Sequence, residues 1–176
     1  MKTRFVICAC ALALAGCNSV NLRSPTATAT LAPTKDSAVS GKVSFAQQGE
    51  QVLVEARISG LTPGLHGFHV HERGNCTAPD GSSAGPHFNP HSGAHGGPES
   101  SSRHAGDLGN IEAGANGVAV YRAEVRGISL GTGVDSIIGR SVIVHEKSDD
   151  LSSQPAGNSG ARLACGLISK SADKWF

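Results

Sequence analysis

The chain is poor in charge, in aromatic side chains and in long apolar runs. Charged residues make up 16% and aromatic residues 4% of its 176 residues, and the formal net charge is +1. A composition without a basic excess does not predict nucleic acid as a partner. No stretch shows a sustained helical apolar period, which argues against long helices.

Glycine, by contrast, is abundant. It accounts for 23 of the 176 residues, about 13% against a typical value of about 7%. Glycine falls in short runs with Ser, Asn, Asp and Pro, the composition of tight turns. Between these turns, period-two alternation predicts short strands from Val39 onward. One domain's length and many short strands predict a single all-β sandwich or barrel.

The first seventeen residues have the pattern of an export signal. Lys2 and Arg4 form a positive region, and Phe5 to Ala15 form an apolar core too short to span a membrane as a permanent helix. The small residues before Cys17 resemble a bacterial lipoprotein cleavage box, in which the cysteine is acylated and becomes the mature N-terminus. Residues 1–17 are therefore predicted to be a lipoprotein signal peptide. An ordinary signal peptide with an incidental cysteine is the alternative.

The residues after Cys17 predict where the anchored protein lies. Asn18 stands where bacterial sorting rules favour the outer membrane, so we expect a lipid-anchored protein of the cell envelope on the periplasmic side. Residues 18–38 are mostly Ser, Thr, Ala, Pro and Asn, which predicts a flexible tether. Residues 39–176 are then the folded domain.

Of the five cysteines, two are left to form a disulfide in the predicted mature protein. Cys8 and Cys10 leave with the signal, and Cys17 carries the lipid. Cys76 and Cys165 remain, and two cysteines of an exported protein form a disulfide more often than two free thiols.

The stretch from His66 to Asp107 contains seven of the eight histidines. On a strand, alternation places His69 and His71 on one face and Phe68 and Val70 on the other. Such crowding of imidazoles is typical of metal coordination.

The spacing of the histidines divides them into two candidate donor sets. His69 and His71 supply two nitrogens to one ion, and His145, at the end of a later strand, can complete that site. All-imidazole ligation suits copper. The second set provides three nitrogens and one oxygen, which suits tetrahedral zinc; its members are His87, His95, His104 and Asp107. Seven ligands for two four-coordinate ions mean that one ligand is shared or one site stays three-coordinate. His66 is expected to fix a turn by hydrogen bonds, and His91 to be exposed.

Several motifs between Val39 and Ile168 resemble those of copper/zinc superoxide dismutases. They are Gly67-Phe-His-Val-His-Glu72, Gly85-Pro-His-Phe-Asn-Pro90, His95-Gly-Gly-Pro98, Arg103-His-Ala-Gly-Asp-Leu-Gly109, Ile138-Gly-Arg140, Val144-His-Glu-Lys147 and Gly157-Asn-Ser-Gly-Ala-Arg-Leu-Ala-Cys-Gly166. The resemblance implies an eight-stranded Greek-key β-barrel, a family already known for this sandwich architecture. It also implies an enzyme that converts superoxide to O₂ and hydrogen peroxide and protects the cell envelope.

The resemblance assigns a role to individual residues. It implies copper ligands at His69, His71, His87 and His145, and zinc ligands at His87, His95, His104 and Asp107. His87 is then the shared ligand and a source of one proton. Asp149 resembles the carboxylate that joins the two sites through His69 and His95. Arg162 resembles the active-site guanidinium that attracts the small anion.

Departures from the eukaryotic pattern concern charge and assembly. The segment from Leu151 to Ala161 has no charged residue. Arg73 and Lys170 stand where eukaryotic members have apolar dimer contacts, which predicts a monomer or a dimer unlike the eukaryotic one.

Two alternatives to the enzyme are a metal-delivery protein and a structural lipoprotein on a decayed barrel. Copper chaperones of this fold commonly lack a full copper set or the arginine, and here both are present.

Overall fold

The computed structural model describes residues 26–171. These residues form nine strands and one short 3-10 turn at Ser82–Ala84. The strands are β1 (Thr26–Pro33), β2 (Ser40–Gln48), β3 (Gln51–Ser59), β4 (Gly64–His71), β5 (Asp107–Ala113), β6 (Val118–Val125), β7 (Ser141–His145), β8 (Arg162–Leu167) and β9 (Ser169–Lys170). The predicted signal peptide, Cys17 and the first part of the predicted tether lie outside the described residues. Within residues 26–171, no helix is long and apolar enough to cross a membrane.

The strands form one antiparallel sheet that closes into a barrel. The order around the sheet is β2-β3-β6-β5-β4-β7-β8-β1, and pairing of β1 with β2 completes the ring. The two-residue strand β9 extends the edge by pairing with β1. The pairings of β3 with β6 and of β4 with β7 join strands distant in sequence, as in a Greek key. The prediction of an all-β, eight-stranded barrel is confirmed.

Alternation of small apolar residues explains most of the strands. In β3, Val52, Val54, Ala56 and Ile58 point into the core, and Glu55 and Arg57 between the last three are exposed. Three phenylalanines, Phe45, Phe68 and Phe88, are among the largest fully buried side chains. The barrel interior is therefore filled by apolar side chains, and polar chemistry has to lie outside it.

The predicted tether is wrong over β1. Residues Thr26–Pro33 form an eight-residue strand that pairs with β2 over six positions and with β8 at two. Ala27, Ala29 and Leu31 are buried, and the threonines between them are not. Small side chains can fill a narrow barrel interior as well as larger ones, so a Thr/Ala-rich segment with period two folds as a strand. Strand β1 is therefore part of the barrel, which does not begin at Val39.

Strand β4 changes its neighbour halfway along. Its first half pairs with β5 and its second half with β7, with a register shift between Gly67 and His69. Phe68 and Val70 enter the core cluster, so alternation places His69 and His71 on the outer face of the barrel wall. Two long connections, β4–β5 and β7–β8, cover that face and bury both histidines.

Candidate metal centre

Four histidines meet on the outer face of β4 and β7. His69 and His71 come from β4, His145 ends β7, and His87 is brought in by the β4–β5 connection through a bridge with His71. None of the four is more than 4% exposed. One ring nitrogen from each lies within 4.8 Å of the corresponding nitrogens of the others. We call this set the first donor group.

Hydrogen bonds orient these rings with bare nitrogens toward the common centre. The Nδ1 of His71 donates to the carbonyl of Gly85 at 2.8 Å, and the Nδ1 of His145 faces the carbonyl of Gly160 at 3.3 Å. A carbonyl oxygen only accepts, so in each ring the facing Nδ1 carries the proton and Nε2 has a lone pair. The two Nε2 atoms are 3.4 Å apart. Two lone pairs at this distance repel each other unless a cation lies between them.

A second donor group surrounds Asp107, at the start of β5. Its Oδ1 lies 2.8 Å from the Nδ1 of His87, 3.1 Å from that of His95 and 3.2 Å from that of His104. Its Oδ2 instead accepts the backbone N–H groups of Gly96 and His104. One carboxylate oxygen is therefore held by the backbone, and the other faces three imidazoles, a donor set suited to tetrahedral zinc.

Buried ring nitrogens without a hydrogen-bond partner indicate that metal ions belong here. Among the described residues, four buried nitrogens have no partner: the Nδ1 of His69, the Nε2 of His87 and the Nδ1 atoms of His95 and His104. The last two lie near Asp107 Oδ1, but not in hydrogen-bond geometry. A buried unsatisfied polar group is costly. All four atoms face the centres of the two groups, so the residues fit two bound cations.

His87 belongs to both groups. Its Nδ1 faces Asp107 in the second group, and its Nε2 faces the first. The ring centroid of His87 lies 4.9 Å from that of His71 and 5.6 Å from that of His104. One imidazole can therefore donate a nitrogen to each of two ions.

Asp149 joins the two groups from the opposite side. Its Oδ2 accepts from the Nε2 of His69 at 2.7 Å, and its Oδ1 accepts from the Nε2 of His95 at 2.9 Å. These bonds fix the tautomers that leave both Nδ1 atoms bare. The backbone of Asp149 is in turn clamped by Asn110, whose side chain accepts the N–H and donates to the carbonyl.

Burial prepares these side chains for metal binding. It lowers the pKa of His69 and His71 well below the ordinary value, and it lowers the pKa of His145 to about 3. Burial alone would raise the pKa of Asp107, but hydrogen bonds, the largest from His87, outweigh it and lower the pKa to about 2. At neutral pH the three histidines are neutral and the carboxylate is ionised, which are the states that bind metals.

Arg162 lies beside the first group at the start of β8. Its guanidinium donates to the carbonyls of Gly81 and Gly85, each at 2.7 Å, and Gly85 also accepts from His71. Arg162, His71, His87 and His145 line an open cavity of about 590 Å³. Two of the five guanidinium N–H groups are used by the carbonyls, so others can bind an anion in the cavity.

A disulfide fastens the loop that holds Arg162. It joins Cys76 to Cys165, with 5.7 Å between the Cα atoms and a sequence separation of 89. Cys165 lies in β8, and Cys76 lies in the β4–β5 connection a few residues before Gly81. The bond therefore ties the carbonyl acceptors of Arg162 to the strand on which Arg162 stands.

A family comparison agrees with this geometry. A family model described as copper/zinc superoxide dismutase (SODC) matches residues 39–168. The chain belongs to the copper/zinc superoxide dismutase family. A curated relative, the copper chaperone for superoxide dismutase of Rattus norvegicus, is 49% identical over 141 residues, which cover 76% of this chain and 50% of the relative. The chain thus spans about half the length of that relative.

Two side chains and one glycine also support this superoxide dismutase-like centre, and residue spacing in the sequence predicts a role in the site for none of them. Besides Asn110, Gln154 accepts the N–H of His95 and donates to its carbonyl. A side chain at Gly157 would place its Cβ 2.7 Å from the Nε2 of His95 and closer still to Asp149, so only glycine fits. Asn110 lies within β5, and asparagine is uncommon inside strands.

The two remaining histidines are not in either donor group. His66 is buried, and its ring bonds to the backbone carbonyls of His145 and Thr62. His91 is exposed and pairs with Asp135 at 2.6 Å. Both expectations for these residues, a turn-fixing histidine and an exposed one, are confirmed.

Proposed function

We propose that the chain is a copper- and zinc-dependent superoxide dismutase. In this proposal the first donor group, His69, His71, His87 and His145, holds copper. The second group, His87, His95, His104 and Asp107, holds zinc. The observation that carries the proposal is the buried ring of His87, whose two nitrogens face different donor groups.

Copper bound in the first group would take an electron from one superoxide and return it to a second, so that two superoxide ions and two protons give O₂ and hydrogen peroxide. Arg162 binds the anion at the cavity mouth and holds it beside the first group by charge and hydrogen bonds. His87 Nε2 faces the first group and could carry a proton for the reduced oxygen whenever it is not bound to copper, while Nδ1 remains with the second group. Asp149 keeps His69 and His95 in the required tautomers.

Copper delivery is the second candidate function. The relative named as a copper chaperone favours it. That name belongs to a protein about twice as long as the matching segment, so it describes more than the part that matches this chain. The presence of four buried histidines together with Arg162 favours turnover, because a delivery protein needs no anion-binding guanidinium beside its metal.

A rate measurement with known metal content separates the two functions. The full chain is loaded with copper and zinc, its metal content is determined by elemental analysis, and its superoxide consumption is measured by pulse radiolysis. Superoxide dismutases are a well-known example of diffusion-limited enzymes. If the chain is one, its second-order rate constant for superoxide should be on the order of 10⁸–10⁹ M⁻¹s⁻¹. A fully loaded protein that consumes no superoxide, but transfers copper to a copper-free dismutase, would support delivery instead.

For the location, we propose a lipid-anchored protein of the cell envelope, on the periplasmic side of the outer membrane, active as a monomer or as a dimer unlike the eukaryotic one. The cleavage-box pattern ending at Cys17 supports the anchor. Cys17→Ser should release active protein into the periplasm or leave an uncleaved precursor. Unchanged membrane partition of this variant, with no acyl mass on the wild-type N-terminus, would contradict the anchor.

A further inference from the structure

We propose that Arg140 is a positioning residue for the first donor group, holding the backbone next to His71 and His87 at the spacing that copper requires. The inference rests on the proposed copper site. Arg140 immediately precedes β7, the strand that ends in His145. It touches none of the donor nitrogens, so its action is through their neighbours.

One guanidinium binds both segments that carry the donors. The NH1 of Arg140 donates to the carbonyl and to the carboxylate of Glu72, each at 2.8 Å, and Glu72 directly follows His71. The guanidinium carbon lies 3.6 Å from the ring centroid of Phe88, and Phe88 directly follows His87. The Nε donates to the carbonyl of Ser136 at 2.8 Å, which fixes the guanidinium itself.

The two segments lie side by side, so their separation sets the distance between two donors. Glu72 N–H donates to the carbonyl of Pro86, and Phe88 N–H donates to that of Val70, both at 2.9 Å. His71 and His87 form an isolated bridge between these bonds. Metal–ligand distances tolerate changes of only about 0.2 Å. A cation stacked on Phe88 and bonded to Glu72 limits sliding of one segment against the other.

The contacts of Arg140 with Glu72 and with Phe88 differ in how far a lysine at position 140 could replace them. Glu72 is partly exposed, with 43% of its side chain accessible, so the ion pair alone contributes little to the fold. Phe88 is fully buried, and the planar guanidinium stacks over its ring. Lysine keeps the charge but cannot stack and bond in a fork at once. In Cu(II) affinity and EPR spectrum, Arg140→Lys should therefore resemble Arg140→Ala more than wild type.

Copper affinity and copper spectrum test the inference independently of enzyme rate. Zinc-loaded, copper-free full chain is titrated with Cu(II) against a chelator, and the Cu(II) EPR spectrum is recorded. Arg140→Ala should weaken Cu(II) binding by about tenfold and change the EPR spectrum, as loss of an outer partner of a metal site commonly does. Zinc content should stay at the wild-type value.

Two matched variants separate positioning from general effects. Arg122→Ala removes an arginine of similar charge that pairs with Glu55 on the outer barrel wall. Val43→Ala lowers stability from within the core, away from both donor groups. Both should keep wild-type copper affinity and spectrum. The inference would be overturned if the Cu(II) affinity of Arg140→Ala lay within twofold of the wild-type value. It would also be overturned if Val43→Ala weakened Cu(II) binding as much as Arg140→Ala does. A wild-type protein that binds no copper would contradict the proposed function itself, whereas normal binding and turnover in Arg140→Ala would contradict only the positioning role.

Discussion

At the scale of single residues, His87 makes the two donor groups interdependent, because one ring faces both. His87→Ala is therefore expected to abolish dismutation and to lower the content of both metals in the same protein. Elemental analysis, the visible copper spectrum and the rate of superoxide consumption check this together. Retained zinc, spectrum and rate would show that no ligand is shared.

His91 offers the control for that substitution. It lies in the same connection as His87, but its ring is exposed and pairs with Asp135. His91→Ala should keep both metals and the wild-type rate. A loss of metal in His91→Ala would mean that removing any histidine of this loop disturbs the centre.

Acidic pH is expected to destabilise the metal-free protein, because a histidine that is buried and neutral in the fold binds a proton more readily once it is unfolded. In the metal-free protein the pKa of His145 is lowered to about 3, whereas an unfolded histidine titrates near 6.5. Between these values the unfolded state binds more protons than the folded state, so stability falls as pH decreases. From pH 7 to pH 5 this residue alone removes about 2 kcal/mol from the free energy of unfolding. Urea unfolding of the metal-free protein at several pH values measures the loss, and equal stability at pH 7 and pH 5 would contradict it.

Residue spacing in the sequence predicts the candidate metal donors better than it predicts the residues that hold those donors in place. A His-x-His pair on a strand predicts its own geometry from the period of two, and the structure brings His69 and His71 together with His145. Nothing local reveals that Asn110 clamps Asp149, because the two are 39 residues apart and meet only through the closed barrel. Contacts of this kind depend on the three-dimensional fold, which single-sequence periodicity does not contain.

At the scale of secondary structure elements, β1 decides whether the barrel closes. It is hydrogen-bonded to β2 on one side and β8 on the other. A chain that starts at Thr26 should keep the stability of the longer protein. A chain that starts at Val39 should lose about 3 kcal/mol or more of unfolding free energy, because Ala27, Ala29 and Leu31 leave the core and two strand edges open. Urea denaturation of the two chains measures the difference.

Equal stability of the two chains would show that β1 is dispensable and that residues up to Ala38 act as a tether after all. The tether was predicted from composition, since Thr, Ala and Pro dominate the segment. Its alternation of Ala and Leu with Thr was the relevant signal. The period-two signal is easier to read in β2 and β3, because their alternating inward side chains are larger and more apolar.

At the scale of the whole molecule, the low charge of the chain bears on how an anion arrives. Without Lys2 and Arg4, 13 basic residues face 14 acidic ones, a net charge of −1. The connection that covers the first donor group is uncharged from Leu151 to Ala161. In the proposed metal-loaded protein, the positive field at the cavity would therefore depend mainly on Arg162, on the two metal ions and on Lys147, two residues after His145.

This distribution predicts a weak dependence of the rate on salt. Superoxide dismutase is itself a standard example of electrostatic steering, and steering by exposed charges falls steeply with ionic strength. A few partly buried charges have less long-range field for salt to screen, since screening acts mainly beyond about 8–10 Å. The second-order rate, measured by pulse radiolysis at several salt concentrations, should therefore fall less than in a relative with charged residues in this loop. A steep slope would locate the steering charges elsewhere on the surface.

Arg162→Glu, with copper and zinc content matched to wild type, should still slow the reaction about tenfold or more, because it reverses the cation beside the first donor group without removing a ligand. An unchanged rate in that variant would exclude Arg162 from substrate capture.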